Sequence, residues 1–380
     1  MARLYGKTYT REALLARVGD ISQLARIKPY RLIEGFEEGV QALDVATGGG
    51  LDFTVLASRG LDISSAHYNG CSLAWRSATT DTHPAYFDTE AERGRGWLRG
   101  FYGGLVVTCG LTYVGAGGED LGQPYGLHGR ASNLPATNVS WDGHWDGDDY
   151  LLTLRGKVRE ATVFGENLQL TRTITTRLGA RSLTLHDVVE NLGYKRTEHM
   201  ILYHINLGFP VVNDGARLVA PTVSAVPRDA DADAKKERYA QFQPPEAGYR
   251  ETVYFHDLAA DTSGRVTAAV INPECEAGDG RGPGLGVYCA YRPEQLPRFI
   301  EWKMMDAGTY VVGMEPANCL VMGRAYERAA GTLQFLEPGE RREYTLEIGV
   351  IVGPEEIAAL ESACQQAVAA RRLPEERAAR

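Results

Sequence analysis

Alternating apolar and polar residues recur in short segments along most of this chain, among them DYLLTLRGKV, LQLTRTITTRL, SLTLHDVVEN and REYTLEIGVI. Successive side chains of a β-strand point to opposite faces of a sheet, so a period of two predicts strands with one buried face. Turn signals separate the segments at roughly the 8–12-residue spacing that is typical of sandwiches and barrels. The pattern therefore predicts an all-β protein.

Two segments depart from this pattern and predict short peripheral helices at the N- and C-termini. TREALLAR at 10–17 has Thr10 at the position expected for a helix N-cap. The segment 354–372 opens with Pro354, a residue well suited to the first helical position. Apolar residues recur at helical spacing along it and predict one face packed on the body of the protein. These residues are Ile357, Leu360, Cys364 and Val368.

The domain organisation predicted from composition is simple, because no shift along the chain marks a boundary. We expect one β-rich domain over residues 1–352, followed at 353–380 by the helix packed on the body and a tail. Residues 221–248 contain PRDADADAKKER and QPPEAG and form a polar, proline-bearing excursion. This excursion is predicted to cross a sheet face or to cover a sheet edge.

Charge and cysteine usage limit the classes of partner. The formal net charge is −9 and no basic stripe is present, so neither nucleic acid nor an anionic membrane is expected as a partner. No segment reaches the ~18 apolar residues of a membrane span, and the N-terminus lacks the apolar core of a signal peptide. The six cysteines have no Cys-x-x-Cys spacing and are interpreted as reduced core thiols. We expect a cytoplasmic protein, for which apolar sheet edges or the C-terminal helix would allow a homodimer.

The segment ILYHINLGFP at 201–210 places two polar residues in an otherwise apolar strand. Alternation puts Leu202, His204 and Asn206 on one face and bulkier apolar residues on the other. A polar face of this kind is expected where a sheet lines a groove. The alternative is a core histidine whose imidazole is satisfied by a backbone carbonyl.

A second strand, in YVVGMEPANCLVMG at 310–323, ends in the carboxylate of Glu315. Gly313 shares a face with it, and a glycine there allows a ligand or another backbone to approach closely. A buried carboxylate is normally paired, hydrogen-bonded or shifted in pKa, which makes Glu315 a candidate functional acid or base. The alternative is a glutamate at the solvent-exposed end of the strand, paired with an arginine such as Arg324.

Two turn regions carry further candidate binding residues. PYGLHGRASNLPA at 124–136 presents His128 and Arg130 in a glycine-punctuated loop, where binding residues concentrate. ASRGLDI at 57–63 places Arg59 in a turn between two strands. Arg59 either binds a polar ligand or ties down the turn.

The segment FIEWKMMDAGTY at 299–310 contains a tryptophan next to charged residues. Trp302 is suited to stacking on the apolar face of a sugar ring, and Lys303 and Asp306 lie close to it in sequence. Trp302 is equally suited to a core position. Trp97 is open to the same two interpretations.

In their order along the chain these segments resemble the galactose mutarotase-like, or aldose 1-epimerase, superfamily, and most closely an uncharacterised bacterial branch of it. The blocks RGLDI, GLHGR, LYHINLGFP and EPANC carry the resemblance within residues 45–352. The resemblance implies a β-supersandwich that holds a sugar in a groove on a curved sheet face.

The resemblance also implies roles for individual residues. The family's catalytic acid is a histidine on a central strand, which corresponds to His204, and its base is a glutamate near the end of a late strand, which corresponds to Glu315. The family histidine that binds ring hydroxyls corresponds to His128. The other expected substrate contacts are Arg130, Arg59, Asn206, Trp302, Lys303 and Asp306. The family's substrate-binding aspartate has no clear counterpart, because Asp306 matches it poorly.

The reaction implied by the resemblance is the interconversion of sugar anomers. One proton is delivered to the ring oxygen and another is removed from the anomeric hydroxyl, so neither a metal nor an organic cofactor is expected. We expect His204 and Glu315 to face one groove from opposite sides of a sugar ring. Two other classes stay open: a metal-assisted sugar isomerase or epimerase with His128, His204 and Glu315 as ligands, and a non-catalytic carbohydrate-binding protein.

Overall fold

The computed structural model describes residues 1–278 and 280–378. The strands, numbered in chain order, are β1 Ala2–Leu4, β2 Lys7–Tyr9, β3 Arg26–Arg31, β4 Gln41–Ala46, β5 Leu51–Leu56, β6 Asp62–Tyr68, β7 Cys71–Ser72, β8 Val107–Leu111, β9 Gly118–Asp120, β10 Gln123–Tyr125, β11 Thr137–Asp146, β12 Asp149–Ala161, β13 Asn167–Arg177, β14 Ser182–Asn191, β15 Thr197–Leu207, β16 Arg217–Val219, β17 Thr222–Pro227, β18 Thr252–Leu258, β19 Val266–Glu276, β20 Pro283–Tyr291, β21 Arg298–Asp306, β22 Thr309–Ala317, β23 Gln334–Leu336 and β24 Arg341–Val352. The α-helices are α1 Arg11–Leu15, α2 Ala91–Gly94, α3 Ala230–Asp233, α4 Arg324–Ala330 and α5 Gly353–Ala378.

Most strands belong to three large sheets. One has eight strands in the order β11-β12-β13-β14-β24-β20-β19-β16, and another has five in the order β3-β4-β5-β6-β7. The seven-stranded sheet has the order β17-β18-β21-β22-β15-β23, and β8 also pairs with β15. Side chains from all three sheets share one hydrophobic core, for example Phe53 on β5, Leu185 on β14 and Ile205 on β15. This architecture confirms the predicted all-β supersandwich.

Strand β15 separates the main core from a smaller hydrophobic cluster on the other face of the seven-stranded sheet. It pairs antiparallel with β8 on one side and with β22 on the other. The residues of β15 that pack in the main core are Ile201, Tyr203, Ile205 and Leu207. Leu202 joins the smaller cluster, and the His204 ring lies on that same face beside Phe101. The alternation predicted for this strand is therefore confirmed.

Both predicted terminal helices are present. The backbone N–H of Ala13 in α1 donates to Oγ1 of Thr10 at 3.2 Å, which is the expected N-cap bond. Helix α5 begins at Gly353, one residue before Pro354. Among the described residues no helix is both long enough and apolar enough to cross a membrane.

One face of α5 packs on the eight-stranded sheet. Ile357 and Cys364 are buried in a cluster with Ala269 and Ile271 of β19, and Leu360 is packed against it. The apolar spacing read from the sequence therefore corresponds to the buried face of the helix. Residues 379 and 380 of the predicted tail lie outside the described residues.

The segment 221–248 lies along one edge of the seven-stranded sheet and then over one of its faces. It starts as the edge strand β17, which pairs with β18. The Tyr254 hydroxyl on β18 then donates to the Ala232 carbonyl at 3.1 Å. The Lys303 ammonium on β21 donates to the carbonyls of Arg238 and Gln241 at 3.0 and 2.6 Å. Hydrogen bonds from β18 and β21 therefore hold this segment in place.

A buried arginine connects the three large sheets. Arg172 on β13 forms ion pairs with Asp62 on β6 at 2.5 Å and with Asp187 on β14 at 2.7 Å, and all three side chains are fully buried. It also donates to Oγ1 of Thr108 on β8 at 2.7 Å. The Tyr203 hydroxyl on β15 donates to Asp187 at 2.8 Å. This network binds the core face of the strand that carries His204.

We expect Arg172→Met to destabilise the protein severely, because it leaves the carboxylates of Asp62 and Asp187 buried without their cation. Breaking a buried pair in this way costs about 3–5 kcal/mol. The measurement is the midpoint of guanidinium-induced unfolding. Arg177→Met, on the same strand but with a side chain that is 61% exposed, is the matched control and should change the midpoint little. Equal midpoints for the two variants would contradict the assigned role of the network.

Candidate active site

A cavity of about 420 Å³ lies on the face of the seven-stranded sheet that carries His204. The sheet supplies its floor, and loops from the first third of the chain and from the region after β22 complete its walls. Its aromatic and ionisable lining residues are Trp75, Trp97, Phe101, His128, His204, Arg228, Glu251, Trp302 and Glu315.

His204 and Glu315 are in direct contact at the floor of this cavity. Their strands β15 and β22 are antiparallel neighbours, and the pairing of Ile205 with Met314 sets His204 across from Glu315. Nε2 of His204 lies 3.1 Å from Oε1 of Glu315, and the side chains are 5% and 2% exposed. The expectation that they face each other across a sugar ring is wrong, because the strand register places them side by side.

Gly313 provides the space for this contact. A Cβ atom at residue 313 would lie 2.8 Å from Oε1 of Glu315 and 3.2 Å from Cε1 of His204. Both distances are shorter than ordinary van der Waals contacts. The close approach predicted at this glycine is therefore made by the His204–Glu315 pair itself.

Burial disfavours the charged forms of both members of the pair. It lowers the pKa of His204 well below its ordinary value, and the nearby His128 contributes in the same direction. It raises the pKa of Glu315 well above its ordinary value, an effect strengthened by Glu251 and opposed by Arg228. In the empty cavity the pair therefore favours an uncharged imidazole beside a protonated carboxyl group.

His128, expected from the family resemblance to bind ring hydroxyls, lies beside the pair and lines the cavity. Its ring centre is 5.8 Å from that of His204 and 4.8 Å from that of Trp97. Burial lowers its pKa to about 4, so the imidazole is neutral near pH 7. Its Nδ1 is buried and has no hydrogen-bond partner within residues 1–278 and 280–378. A ligand hydroxyl is the kind of group that would satisfy this nitrogen.

Three charged residues, Arg228, Asp229 and Glu251, form an ion-pair cluster at the rim of the cavity. Arg228 lies 2.8 Å from Asp229 and 3.0 Å from Glu251. The indole N–H of Trp302 donates to the other carboxylate oxygen of Glu251 at 2.8 Å. Glu251 thereby connects the end of β17 to the aromatic wall, and Trp302 stands in the cavity instead of the core.

The structure places Arg59 and Arg130 outside the cavity. The guanidinium group of Arg59 is buried and donates to the carbonyls of Ser132, Thr82 and Gly100 at 2.8, 2.6 and 2.8 Å. These bonds tie the β5–β6 turn to two neighbouring loops, which is the second of the two roles considered for Arg59, and Arg59 is not among the residues that line the cavity. Arg130, which was predicted to contact a substrate, is exposed and is not among the residues that line the cavity.

The structure also places three other predicted contacts outside the cavity. Lys303 follows Trp302 on β21 and therefore points to the opposite face, where it is bound to backbone carbonyls. Oδ1 of Asp306 accepts a hydrogen bond from the backbone N–H of Gly248 at 2.7 Å. Asn206 is fully buried and donates to the carbonyls of Gly104 and His204 at 3.2 and 3.0 Å. Asn206 therefore supports the strand next to His204 instead of contacting the cavity.

Several lining residues were not identified from the sequence. Arg228 and Glu251 stand where the chain leaves and re-enters the seven-stranded sheet around α3, so their position at the two ends of a polar excursion was a usable signal. No local sequence pattern marks Trp75 and Phe101 as lining residues, because they belong to loops whose path is set by contacts with remote parts of the chain. Trp97, left open between cavity and core, stacks on Phe101 at 4.3 Å in the cavity wall.

The described residues contain no group of three or more His, Cys, Asp or Glu side chains arranged to hold a metal ion. His128, His204 and Glu315 are near one another, but the two imidazole rings are perpendicular, with an interplanar angle of 84°. The cavity therefore contains a His–Glu pair in direct contact, with a further imidazole, that of His128, beside it.

Comparisons with known proteins agree with this architecture. The family model described as Domain of unknown function (DUF4432) matches residues 37–350. A solved structure from Klebsiella pneumoniae subsp. pneumoniae, described as a candidate aldose 1-epimerase, has a TM-score of 0.85 and 29% sequence identity, over 92% of this chain and 90% of that one. None of the curated proteins matches the sequence.

More distant structures share the fold. A galactose mutarotase-like protein from Clostridium acetobutylicum has a TM-score of 0.55 and 13% identity, over 87% of this chain and 99% of that one. A galactose 1-epimerase from Lactobacillus acidophilus has a TM-score of 0.52 and 12% identity, over 87% and 100%. The predicted resemblance is confirmed: the chain has the galactose mutarotase-like fold and belongs to the DUF4432 family.

Proposed function

We propose that this protein is a mutarotase-like isomerase that interconverts the anomers of an aldose by acid–base catalysis at His204 and Glu315. The observation that carries the proposal is the 3.1 Å contact between the two side chains at the floor of a cavity large enough for a sugar. The similarity to a candidate aldose 1-epimerase from Klebsiella pneumoniae supports the same reaction class. A small-molecule sugar is accordingly the proposed substrate, and no cofactor is required.

The side-by-side geometry fits the chemistry of a hemiacetal. The ring oxygen, which must gain a proton on ring opening, and the anomeric hydroxyl, which must lose one, are bonded to the same carbon. An acid and a base that are neighbours on one side of the sugar can therefore each reach one of these two oxygens. In the proposed step, His204 as imidazolium protonates the ring oxygen while the Glu315 carboxylate accepts the proton of the anomeric hydroxyl.

Ring opening leaves the pair as a neutral imidazole beside a protonated carboxyl group, which is the arrangement that burial favours. Rotation about the bond next to the carbonyl carbon presents its other face. Ring closure then returns the proton from Glu315 to the carbonyl oxygen and the proton of the attacking hydroxyl to His204. The two arrangements of the pair have the same total charge, so a complete cycle exchanges no proton with solvent and the pair is reset.

The first prediction concerns the pair itself. His204→Gln and Glu315→Gln should each reduce the rate of anomer exchange by about 10²–10⁴-fold, the usual contribution of one positioned acid or base. The rate is measured by NMR exchange spectroscopy on a panel of free aldoses, with a chelator present in parallel samples.

A second His–Glu pair in the same sheet provides the matched control. Nε2 of His256 lies 3.2 Å from Oε2 of Glu301, and both side chains are fully buried on the opposite face of β18 and β21. His256→Gln and Glu301→Gln should retain exchange in the folded fraction of the protein. Near-normal exchange in both variants of the cavity pair would refute the assignment. Loss of wild-type activity with chelator would favour metal assistance, and sugar binding without exchange would favour a binding protein.

Gly313→Ala tests whether the contact between the pair matters. The added methyl would displace Glu315 or His204, because it would lie 2.8 Å from Oε1. A misplacement of about 1 Å typically costs about 10²-fold in rate, so exchange should fall by that order while the thermal unfolding midpoint changes little. An unchanged rate would show that the reacting atoms do not depend on this geometry.

The pH dependence of exchange should be bell-shaped, with limbs that belong to the coupled pair. The acid limb should lie below the ordinary histidine pKa, because burial and His128 disfavour a second proton on the pair. Glu251 raises the pKa of Glu315 and Arg228 lowers it. Glu251→Gln should therefore shift the alkaline limb to lower pH.

The control for this shift is Glu337→Gln, whose carboxylate is 62% exposed and pairs with Arg196 away from the cavity. It should leave both limbs in place. An alkaline limb that moves to higher pH in Glu251→Gln would mean that Glu315 is not the group that loses its proton there.

A further inference from the structure

The walls around the His204–Glu315 pair are predominantly aromatic. The ring centres of Phe101 and Trp302 both lie 5.3 Å from that of His204. Trp75 closes the arc, at 5.8 Å from Phe101 and 6.4 Å from Trp302. A ligand whose anomeric carbon is at the pair must therefore lay much of its surface against aromatic rings.

The hydroxyl of Ser77 and the indole N–H groups of Trp97 and Trp302, which line these walls, are already bound to other parts of the protein. The Ser77 hydroxyl donates to the Phe101 carbonyl at 2.5 Å and is 2.9 Å from that of Thr79. The indole N–H of Trp97 donates to Ser132 at 3.2 Å, and that of Trp302 donates to Glu251 at 2.8 Å. Among the described lining residues, the buried side-chain atoms without a hydrogen-bond partner are Nδ1 of His128 and Nδ1 of His204, so ligand hydroxyls would find unpaired groups beside the His204–Glu315 pair.

The cavity also offers no uncommitted positive charge. Arg228 is the only lysine or arginine among the lining residues that the structure describes. Its guanidinium group is held between Asp229 and Glu251 at 2.8 and 3.0 Å. A phosphate or carboxylate on the ligand would have to displace one of these carboxylates or remain unpaired beside Glu251, and an unpaired buried anion is strongly disfavoured.

We propose that the substrate is a neutral, partly deoxygenated aldose, such as a 6-deoxyhexose, and not a sugar phosphate or a sugar acid. The inference rests on the proposed function for the placement of the anomeric carbon. Hydroxyls next to that carbon meet His128 and the His204–Glu315 pair. A hydroxymethyl group farther along the ring would bury its hydroxyl against the aromatic walls without a partner, whereas the methyl group of a 6-deoxyhexose at the same position gains from burial.

The test uses the wild-type protein and matched sugar sets that differ at carbon 6. One set is D-glucose, 6-deoxy-D-glucose, D-glucose 6-phosphate and D-glucuronic acid, and the other has the galacto configuration. Anomer exchange is measured by NMR, and binding is measured separately by the change in intrinsic tryptophan fluorescence, to which the cavity residues Trp75, Trp97 and Trp302 contribute. In the better set the 6-deoxy sugar should exceed its parent about tenfold in kcat/KM, the effect of one unsatisfied hydroxyl. The charged members should remain near the uncatalysed rate.

Glu251→Gln provides an internal check on the charge argument. The substitution keeps a hydrogen-bond acceptor for Trp302 and leaves Arg228 with a single carboxylate partner. It should therefore raise the affinity for glucuronic acid or galacturonic acid relative to the neutral parent, by several-fold in the fluorescence titration. The Glu337→Gln variant should show the wild-type ratio.

The outcomes separate this inference from the proposed function. If no sugar is accelerated but the 6-deoxy member binds more tightly than its parent and the charged members, the ligand class is supported and catalysis of mutarotation is refuted. The ligand class is overturned by either of two results in an enzyme that catalyses exchange. One is a sugar phosphate or uronic acid with the same kcat/KM as the neutral sugar. The other is a parent hexose with a higher kcat/KM than its 6-deoxy analogue in both sets. If none of the sugars binds or is accelerated, both are overturned.

Discussion

The connection between the three large sheets depends on one fully buried cation, the guanidinium group of Arg172. Arg172 is fully buried and contacts Asp62 and Asp187 at 2.5 and 2.7 Å, which joins the eight-stranded and five-stranded sheets. Through Thr108 on β8 and Tyr203 on β15 it also reaches the seven-stranded sheet. A buried cation with two carboxylates and additional hydrogen bonds tolerates little displacement, because each lost bond leaves a charge in a medium that cannot solvate it. The relative positions of the three sheets are fixed accordingly.

This constraint continues into the cavity through one strand. Tyr203 points from β15 into the Arg172 network, and the next residue, His204, points to the opposite face and lines the cavity. The neighbouring strand β8 shows the same division, since Thr108 binds Asp62 while Val107 packs in the cluster below the cavity. The imidazole therefore projects from a strand whose other face is anchored by ionic hydrogen bonds. Such an anchor holds a catalytic side chain in place without occupying the site.

Local patterns predicted the parts of this arrangement that depend on one strand at a time. Alternation in ILYHINLGFP correctly placed His204 opposite the core, and Gly313 correctly indicated a close approach beside Glu315. The same rule, applied to β21, separates Trp302 from Lys303, so the prediction that both contact a substrate was inconsistent with the strand that contains them. The side-by-side geometry of His204 and Glu315 comes from the register between β15 and β22, which no local pattern encodes.

Long-range partners account for the other differences between prediction and structure. The turn position of Arg59 left two roles open, ligand binding and tying down the turn, and the choice depends on backbone carbonyls of two loops that are remote in sequence. The alternating threonines around Arg172 do not predict its role, because its carboxylate partners are on other strands: Asp187 on β14 of the same sheet and Asp62 on β6 of the five-stranded sheet. Arg228 and Glu251 became part of the cavity only because the intervening segment folds back over β18 and β21. In each case the role of a charged residue depends on which remote segments of the chain fold against it, and neither composition nor a local pattern predicts those contacts.

The two His–Glu pairs of the seven-stranded sheet show what distinguishes a candidate catalytic pair from a structural one. Their atoms are separated by 3.1 Å in His204–Glu315 and 3.2 Å in His256–Glu301, and burial raises the pKa of both carboxyl groups. Proximity and desolvation are thus common to the two pairs and cannot assign a function. The difference lies in what surrounds them. The His256 side chain is fully buried against Thr222, Tyr239 and Phe299, and the cavity of about 480 Å³ that His256 borders is not lined by Glu301. His204 and Glu315, in contrast, both line one cavity, with His128 at their side. A pair can exchange protons with a substrate only where both of its members face the space for that substrate, and of the two pairs His204–Glu315 meets this condition.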